Sequence, residues 1–501
     1  MVRFHGCPHS IAKILVLMYY QFHVKRWRNV KLKTYKESLN YLEKFISNIN
    51  FKRIEDNAGY DPLDRMRTLL GLLGNPEKKF KSVLVTGTAG KGSTAYLISH
   101  ILKTAGYKVG LTISPHLQKV NERLQINGKE ISDEKFVNIL NIVTPAIEKM
   151  FLDSARAFGS EAQARRDKIG APSYFEILIA MVFLYFAQEK VDLAVVEVGI
   201  EGKYDATNVL NPLMVILTNI SLDHTQILGD TVEKIAKEAV QAIKQFSIFN
   251  FQFSINNSVV ITGAKQQSVI KIVEERCREV GAKLLRLGKD FDESVIKNFK
   301  LSLLGDYQKE NASLAVEAVV QLKNFGLKVS EKDIRLALKT AFFPGRFEII
   351  RVNSVLRLAS LAQDKMSPTL ILDGAHNPAK MKAFISSLKK LFPTERKIFV
   401  IAFKKDKNIK EMLKSILPVA DVVIATRFSM ATDVSKNASA EADSIKYQVL
   451  SSKYGGQVFV EGNSKKALEK ALKLNKELKN SIVVVTGSLY LVGEIRSELQ
   501  L

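Results

Sequence analysis

The sequence predicts an α/β protein made of two lobes in tandem, each a largely parallel sheet flanked by helices. Three observations carry that expectation. Short apolar runs bounded by turn residues alternate with segments of helical period along most of the chain. One run opens into K-S-V-L-V-T-G-T-A-G-K-G-S-T, residues 81–94, which reads as strand, glycine turn and helix in immediate succession. After Phe343-Pro344-Gly345-Arg346, a hinge-like stretch, the alternation begins again and marks a second, smaller α/β unit.

Composition bounds what such a protein does. At 501 residues, two or three domains are expected. The net charge of +23 suits anionic partners, yet the lysines are spread over most helices. No basic stripe carries interleaved aromatics, so a nucleic-acid partner is not expected. The apolar stretch Ile14 to Tyr20 is far short of a membrane span, and no other segment is longer and apolar enough. Cys7 and Cys277 have no metal-ligand or disulfide spacing, which favours a reducing, cytoplasmic setting. Residues 1–36 hold eight Lys/Arg and no acid, and residues 1–31 read as an extension without an assigned role.

In chain order, amphipathic helices are expected from Tyr35 to Ser47 and from Pro62 to Leu73. Val83, Leu84 and Val85 then form a buried strand, and a helix runs from Ala95 to Ala105. Between them Gly87, Gly90 and Gly92 let the backbone approach an anion without a Cβ in the way. Thr88 sits within this turn. Lys91 would give a point charge, and Ser93 or Thr94 a hydroxyl, beside the N–H groups of a helix N-terminus. Gly92 separates Lys91 from Ser93, a departure from G-x-x-x-x-G-K-[ST]. An ordinary glycine-rich βα turn is the plainer alternative.

A second strand is expected from Lys108 to Ile113, ending at Ser114-Pro115-His116-Leu117, and helices from Asp133 to Phe151 and Ser173 to Gln188. The polar stretch Ala157 to Gly170 reads as a loop. Ser173 and Glu176 fit a capping box. Strands at Asp192 to Val198 and Leu213 to Thr218 end in Glu197 and lead to Ser221-Leu222-Asp223-His224. In parallel sheets ligands gather at the carboxyl ends of strands, where the glycine turn, Ser114, Glu197 and His224 would all lie. A phosphoryl-transfer site needs Mg²⁺ on hard oxygen ligands, which makes Glu197, Ser114 and His224 candidates. A histidine satisfied within its turn is the plainer reading for His224.

Helices follow from Gln308 to Phe325 and Ser330 to Ala341. The second unit has strands at Thr369 to Leu372, Ile398 to Ala402, Val422 to Ala425, Gln457 to Val460 and Ile482 to Val485. Asp373-Gly374-Ala375-His376-Asn377-Pro378 follows the first of these. Asn377 and Pro378 explain that turn by helix capping, and Asp373 and His376 would face the cleft between units.

Taken together, these blocks resemble the folylpolyglutamate synthase/dihydrofolate synthase branch of the Mur-type ATP-dependent amide ligases. Besides the glycine turn they are S-P-H-L with N-E-R at Asn121 to Arg123, S-Y-F-E, E-V-G-I-E-G-K-Y-D-A-T-N and L-D-H-T. Y-Q-K-E-N-A, P-G-R, D-G-A-H-N-P and T-G-S-L-Y-L-V-G-E complete the set, in the family's order across residues 32–501. The resemblance implies a P-loop, Mur-ligase-like ATPase domain over residues 32–343 and a Rossmann-like ligase domain over 347–501. It implies ATP and Mg²⁺ as cofactors and folate and L-glutamate as substrates; a monomer is expected. By the same resemblance Lys91 and the loop hold phosphates, and Ser114, Glu197 and His224 hold metal. Asn311, Arg346 and Asp373 contact ATP, His376 lies near the incoming amino acid or the nucleotide, and Phe175 and Tyr204 line the pterin-bearing substrate's site.

Three positions depart from the family pattern. Ala89 replaces an asparagine in the glycine turn, and Glu201-Gly202-Lys203 replaces G-G-R. Ala239 stands where the family commonly has a lysine that is carbamylated to bind metal. Two alternatives follow: another Mur-type ligase with a different carboxylate substrate, or a catalytically impaired nucleotide-binding homologue.

Overall fold

The computed structural model describes residues 31–46, 63–156, 170–244, 258–351, 368–433, 435, 437–452 and 454–501. Nearly all of the extension, together with Ser47, Pro62 and residues 157–169 of the expected loop, therefore lies outside the described residues.

The first sheet contains β1 (Ser82–Thr86), β2 (Val109–Thr112), β3 (Gln125–Ile126), β4 (Lys129–Glu130), β5 (Leu193–Glu197), β6 (Met214–Leu217), β7 (Val259–Thr262) and β8 (Lys283–Arg286). Its order is β4-β3-β2-β5-β1-β6-β7-β8, with every pair parallel except β2 with β3 and β3 with β4, which are antiparallel. That hairpin turns on Asn127-Gly128, both at positive φ (51° and 69°), as a tight two-residue hairpin turn requires. The Asn-Gly pair was a readable signal; β7 and β8 offered only short apolar runs and were likewise not anticipated.

Successive strand residues point to opposite faces. Thus Leu84 and Val196 join the core formed with helix Tyr174–Glu189, whereas Val83 and Val85 pack with helices Lys91–Thr104 and Asp306–Leu322. Helix Tyr174–Glu189 is apolar nearly all round because it is buried nearly all round. No described helix is long and apolar enough to cross a membrane.

The second sheet comprises β9 (Glu348–Arg351), β10 (Thr369–Leu372), β11 (Arg396–Ile401), β12 (Val422–Ala425), β13 (Gln457–Val460) and β14 (Ser481–Thr486), ordered β13-β12-β11-β14-β10-β9. All pairs are parallel except β9 with β10. β9 follows the expected hinge directly and escaped the sequence reading. Only its alternating faces, Glu348 and Ile350 buried, Ile349 and Arg351 exposed, mark it as an edge strand.

The lobes meet through the N-E-R segment. Glu122 accepts backbone N–H bonds from Leu117, Gln118 and Lys119 and so fixes the loop after β2. Arg123, almost wholly buried, makes a bidentate pair with Asp433 of the second lobe at 2.6 and 2.9 Å. A Cβ on Gly493 would lie 1.7 Å from the Leu117 carbonyl oxygen, so only glycine lets the last helix approach this loop.

Arg123 Nε donates to His116 Nδ1 at 3.0 Å. Burial first, then the guanidinium, pushes the His116 pKa down to about 3 from 6.5. Between those values the unfolded chain binds a proton that the folded chain refuses, so stability must fall as the pH drops through that window. Urea midpoints measured against pH are expected to fall less steeply for His116→Asn, which keeps an acceptor and loses the titration. Parallel curves for the two proteins would contradict this.

Candidate active site

β1 is flanked by β5 on one side and β6 on the other, so the strand ends either side of β1 open a crevice. The second lobe covers it, giving a cleft of about 1280 Å³ lined from both sheets. Of the site residues expected from sequence, all but Gly87 and Thr94 line this cleft.

The glycine turn forms as its residue types require. Gly87 and Gly90 have φ of 118° and 87°, and a Cβ at either would lie 2.2–2.3 Å from Thr218 Oγ1 or Asn311 Oδ1. The helix begins at Lys91, four residues earlier than expected, so Gly92, Ser93 and Thr94 fall within its first turn. Ala89 is held through its backbone: its N–H donates to Asn219 Oδ1 at 3.0 Å and its carbonyl accepts from Thr218 Oγ1 at 2.7 Å. Thr88 Oγ1 exchanges hydrogen bonds with the Ser221 backbone.

Lys91 Nζ donates to Gly87 O at 2.6 Å and stands 3.8 Å from Glu201. Ser93 Oγ accepts from Gln308, which in turn accepts from Asn311 Nδ2 at 2.9 Å. Thr94 Oγ1 is buried with no partner among the described residues.

Glu197 ends β5, and its Oε2 accepts from Ser114 N at 2.8 Å. Burial pushes its pKa up, against the pull of Lys91 and that N–H. Glu201 is raised by burial in the same way, with Lys91 opposing, and its Oε2 is buried without a partner among the described residues. His224 holds a left-handed conformation (φ 47°) at the start of a short helix, and burial, then Lys407, lowers its pKa to about 4. Among the described residues no three His, Cys, Asp or Glu side chains form a metal cluster. Glu197, the unpartnered Glu201 oxygen and the Ser114 hydroxyl line the cleft together with the His224 ring, a mainly hard-oxygen set that suits a Mg²⁺ shared with phosphate.

From the second lobe, Asp373 accepts from the N–H groups of Phe347 and Ala375 (2.8 and 2.9 Å) and from Tyr307 of the first lobe at 3.3 Å. Burial raises its pKa. Arg346 lies over the Phe343 ring at 5.1 Å, and that ring stacks on Tyr96 at 4.8 Å. His376 Nδ1 donates to Gly374 O at 2.8 Å. On the opposite wall Phe175 crosses the loop after β5 so closely that a Cβ on Gly199 would lie 2.5 Å from its ring; Tyr204 lines the same region. Glu176 is held by its capping box and by Arg65.

Several cleft residues had not been singled out. Asp223 accepts from Lys407 at 2.5 Å and from Asn377 at 2.9 Å, an inter-lobe contact. Burial would raise its pKa, but His224, Lys407 and Lys380 outweigh that and hold it well below the carboxylate range. Lys380 and Lys407 gave no signal, being lysines in a chain full of them. Ala239 is fully buried in the core and does not line the cleft, while Lys237 faces solvent. Beside it Glu238 accepts from Lys203 N at 3.3 Å and so anchors the Glu201-Gly202-Lys203 turn.

Residues 143–319 match the Mur ligase middle domain, and residues 356–501 match the C-terminal domain of dihydrofolate synthetase. A dihydrofolate synthase/folylpolyglutamate synthase of Bacillus subtilis is 31% identical over 461 residues, 87% of this chain and 95% of that one. A folylpolyglutamate synthase of Lacticaseibacillus casei is 30% identical over 92% of this chain and 99% of its own. The solved Mycobacterium tuberculosis folylpolyglutamate synthase complexed with ADP superposes with a TM-score of 0.77 at 26% identity, covering 93% and 98% of the two chains. The fold, the ordered motifs and these likenesses agree: the chain belongs to the dihydrofolate synthase/folylpolyglutamate synthase family of Mur-type ligases.

Proposed function

We propose that this protein is an ATP-dependent ligase that joins L-glutamate to a folate through an amide bond. The acceptor is the tetrahydrofolate polyglutamate tail, with dihydropteroate as a second acceptor. The observation that carries this reading is the shared cleft. The glycine turn with Lys91 forms one wall and the Asp373–His376 loop faces it from the other lobe.

In this reading the helix N-terminus and Lys91 hold the nucleotide phosphates, and Lys91 exchanges Gly87 O for phosphate oxygen. The γ-phosphoryl group moves to a folate carboxylate oxygen, giving an acyl phosphate. The glutamate amine then attacks the acyl carbon, phosphate leaves and the amine gives up a proton. A Mg²⁺ held by Glu197, Ser114 and His224 would supply charge neutralisation at the phosphates. Arg346, Asp373 and Asn311 hold the nucleotide, and Phe175 and Tyr204 flank the pterin-bearing substrate. Residues 32–343 act as the ATP-binding domain and residues 347–501 as the domain that closes on it, keeping water from the acyl phosphate. The protein works as a cytoplasmic monomer.

The test is an ADP-release assay on the purified full chain with ATP, Mg²⁺, glutamate and either dihydropteroate or tetrahydrofolate. Release is expected only when a folate and glutamate are both present. Release indifferent to any folate would point to a different carboxylate substrate, and nucleotide binding without turnover to an impaired homologue.

A further inference from the structure

Lys380 stands in the first turn of helix Pro378–Leu391, whose cap Asn377 holds the Lys380 backbone N–H at 2.8 Å. The buried face of this helix is formed by Met381, Phe384, Ile385 and Leu388. Lys380 is not part of that face, yet its side chain turns into the cleft and its Nζ donates to His376 Nε2 at 3.1 Å. His376 can accept there because its Nδ1–H is committed to Gly374 O. The other cleft cations have partners: Lys407 has Asp223 at 2.5 Å, Lys91 has Gly87 O and Glu201, and Arg346 has Gly345 O and the Phe343 ring. The hydrogen bond that places Lys380 is instead to a neutral ring. A half-buried cation so placed is left without a full counter-charge until an anion arrives.

We propose that Lys380 is a further catalytic residue of the ligase, contacting the nucleotide polyphosphate from the second lobe, opposite Lys91, with His376 as its positioning residue. The proposal rests on the ligase reading above. The charged groups facing Lys380 are of both signs. Lys91 on helix Lys91–Thr104, Lys407 after β11 and Arg346 at the hinge repel it; Asp223 after β6, Glu197 on β5 and Glu201 beyond it attract it. Burial, reinforced by the neighbouring cations, brings its pKa down to about 7. An arriving polyanion raises it again, so nucleotide binding takes up a proton above neutral pH.

Calorimetric titration of the full chain with ADP at pH 7.5, in two buffers of different ionisation enthalpy, reads that uptake directly. The wild type is expected to take up a fraction of a proton, and Lys380→Met none. Lys380→Arg, always charged, keeps ADP affinity and also takes up none, and it serves if the Met variant does not fold. In turnover, Lys380→Met lowers kcat at least about tenfold with a smaller change in the glutamate KM, and Lys380→Arg recovers part of it. Unchanged proton uptake in both variants, or kcat within twofold of wild type for Lys380→Met, overturns the proposal. Wild-type binding without proton uptake overturns it too. Absence of ADP binding by the wild type would instead sink the ligase reading.

Discussion

Lys91→Met is expected to lower kcat for glutamate addition by about 10²–10³-fold, the usual loss when one preorganised charge is removed from a developing anion. Met keeps most of the apolar stem and deletes the ammonium. The fold should tolerate it, because the contacts of Lys91 Nζ are Gly87 O and a carboxylate 3.8 Å away. Glu201, which loses that neighbour, is already pushed by burial towards its neutral form. Unfolding midpoints should therefore stay close to wild type while turnover collapses. Steady-state kinetics at saturating ATP distinguish this from weaker binding alone: a loss confined to the ATP KM would mean that Lys91 only grips the nucleotide. Wild-type turnover in the variant would remove the basis for a phosphate role.

Asp433→Ala should have the largest effect on stability. It strands the Arg123 guanidinium, which is 2% exposed and has His116 Nδ1 as its other side-chain partner. Breaking a buried pair by removing one member costs about 3–5 kcal/mol. Arg123 comes from the loop after β2 and Asp433 from the second lobe, so the loss falls on the contact between lobes. The expected result is a lower urea midpoint, with the lobes separating before either sheet unfolds. Arg123→Met together with Asp433→Ala should be less damaging than Asp433→Ala alone, since no unpaired charge then remains buried. If the single variant melts like wild type, the buried pair is not what ties the lobes together. The Gly493 approach to Leu117 and the Arg496 Nε bond to Gln118 Oε1 at 3.3 Å would then carry that contact.

The strand cores were legible because V-L-V, L-A-V-V and M-V-I-L are continuous apolar runs, the pattern of strands covered on both faces. Capping at Ser173 and Asn377 was legible for the same local reason: an oxygen-bearing side chain at the start of a helix satisfies free N–H groups. β9 and the two-residue strands of the β3–β4 hairpin were harder, since β9 alternates buried and exposed residues instead of forming a continuous apolar run and the hairpin's strands show little beyond their Asn-Gly turn. Their existence depends on a neighbouring strand edge. N-E-R was readable only as a family block. Its physical work, Glu122 fixing a loop and Arg123 joining the lobes, needs Asp433, which lies 310 residues away.

The sequence by itself determined that this chain is two α/β lobes with a phosphate-type turn in the first, because strand, turn and helix signals act over a few neighbouring residues. It also assigned the family, through motifs in a fixed order. Only the tertiary structure decided which charges meet. Asp223 joins Lys407, Arg123 joins Asp433, and Tyr307 meets Asp373, each pair drawn from the two lobes. Those outcomes depend on how two sheets face each other, and electrostatic energy depends on distance and burial in space rather than on separation along the chain.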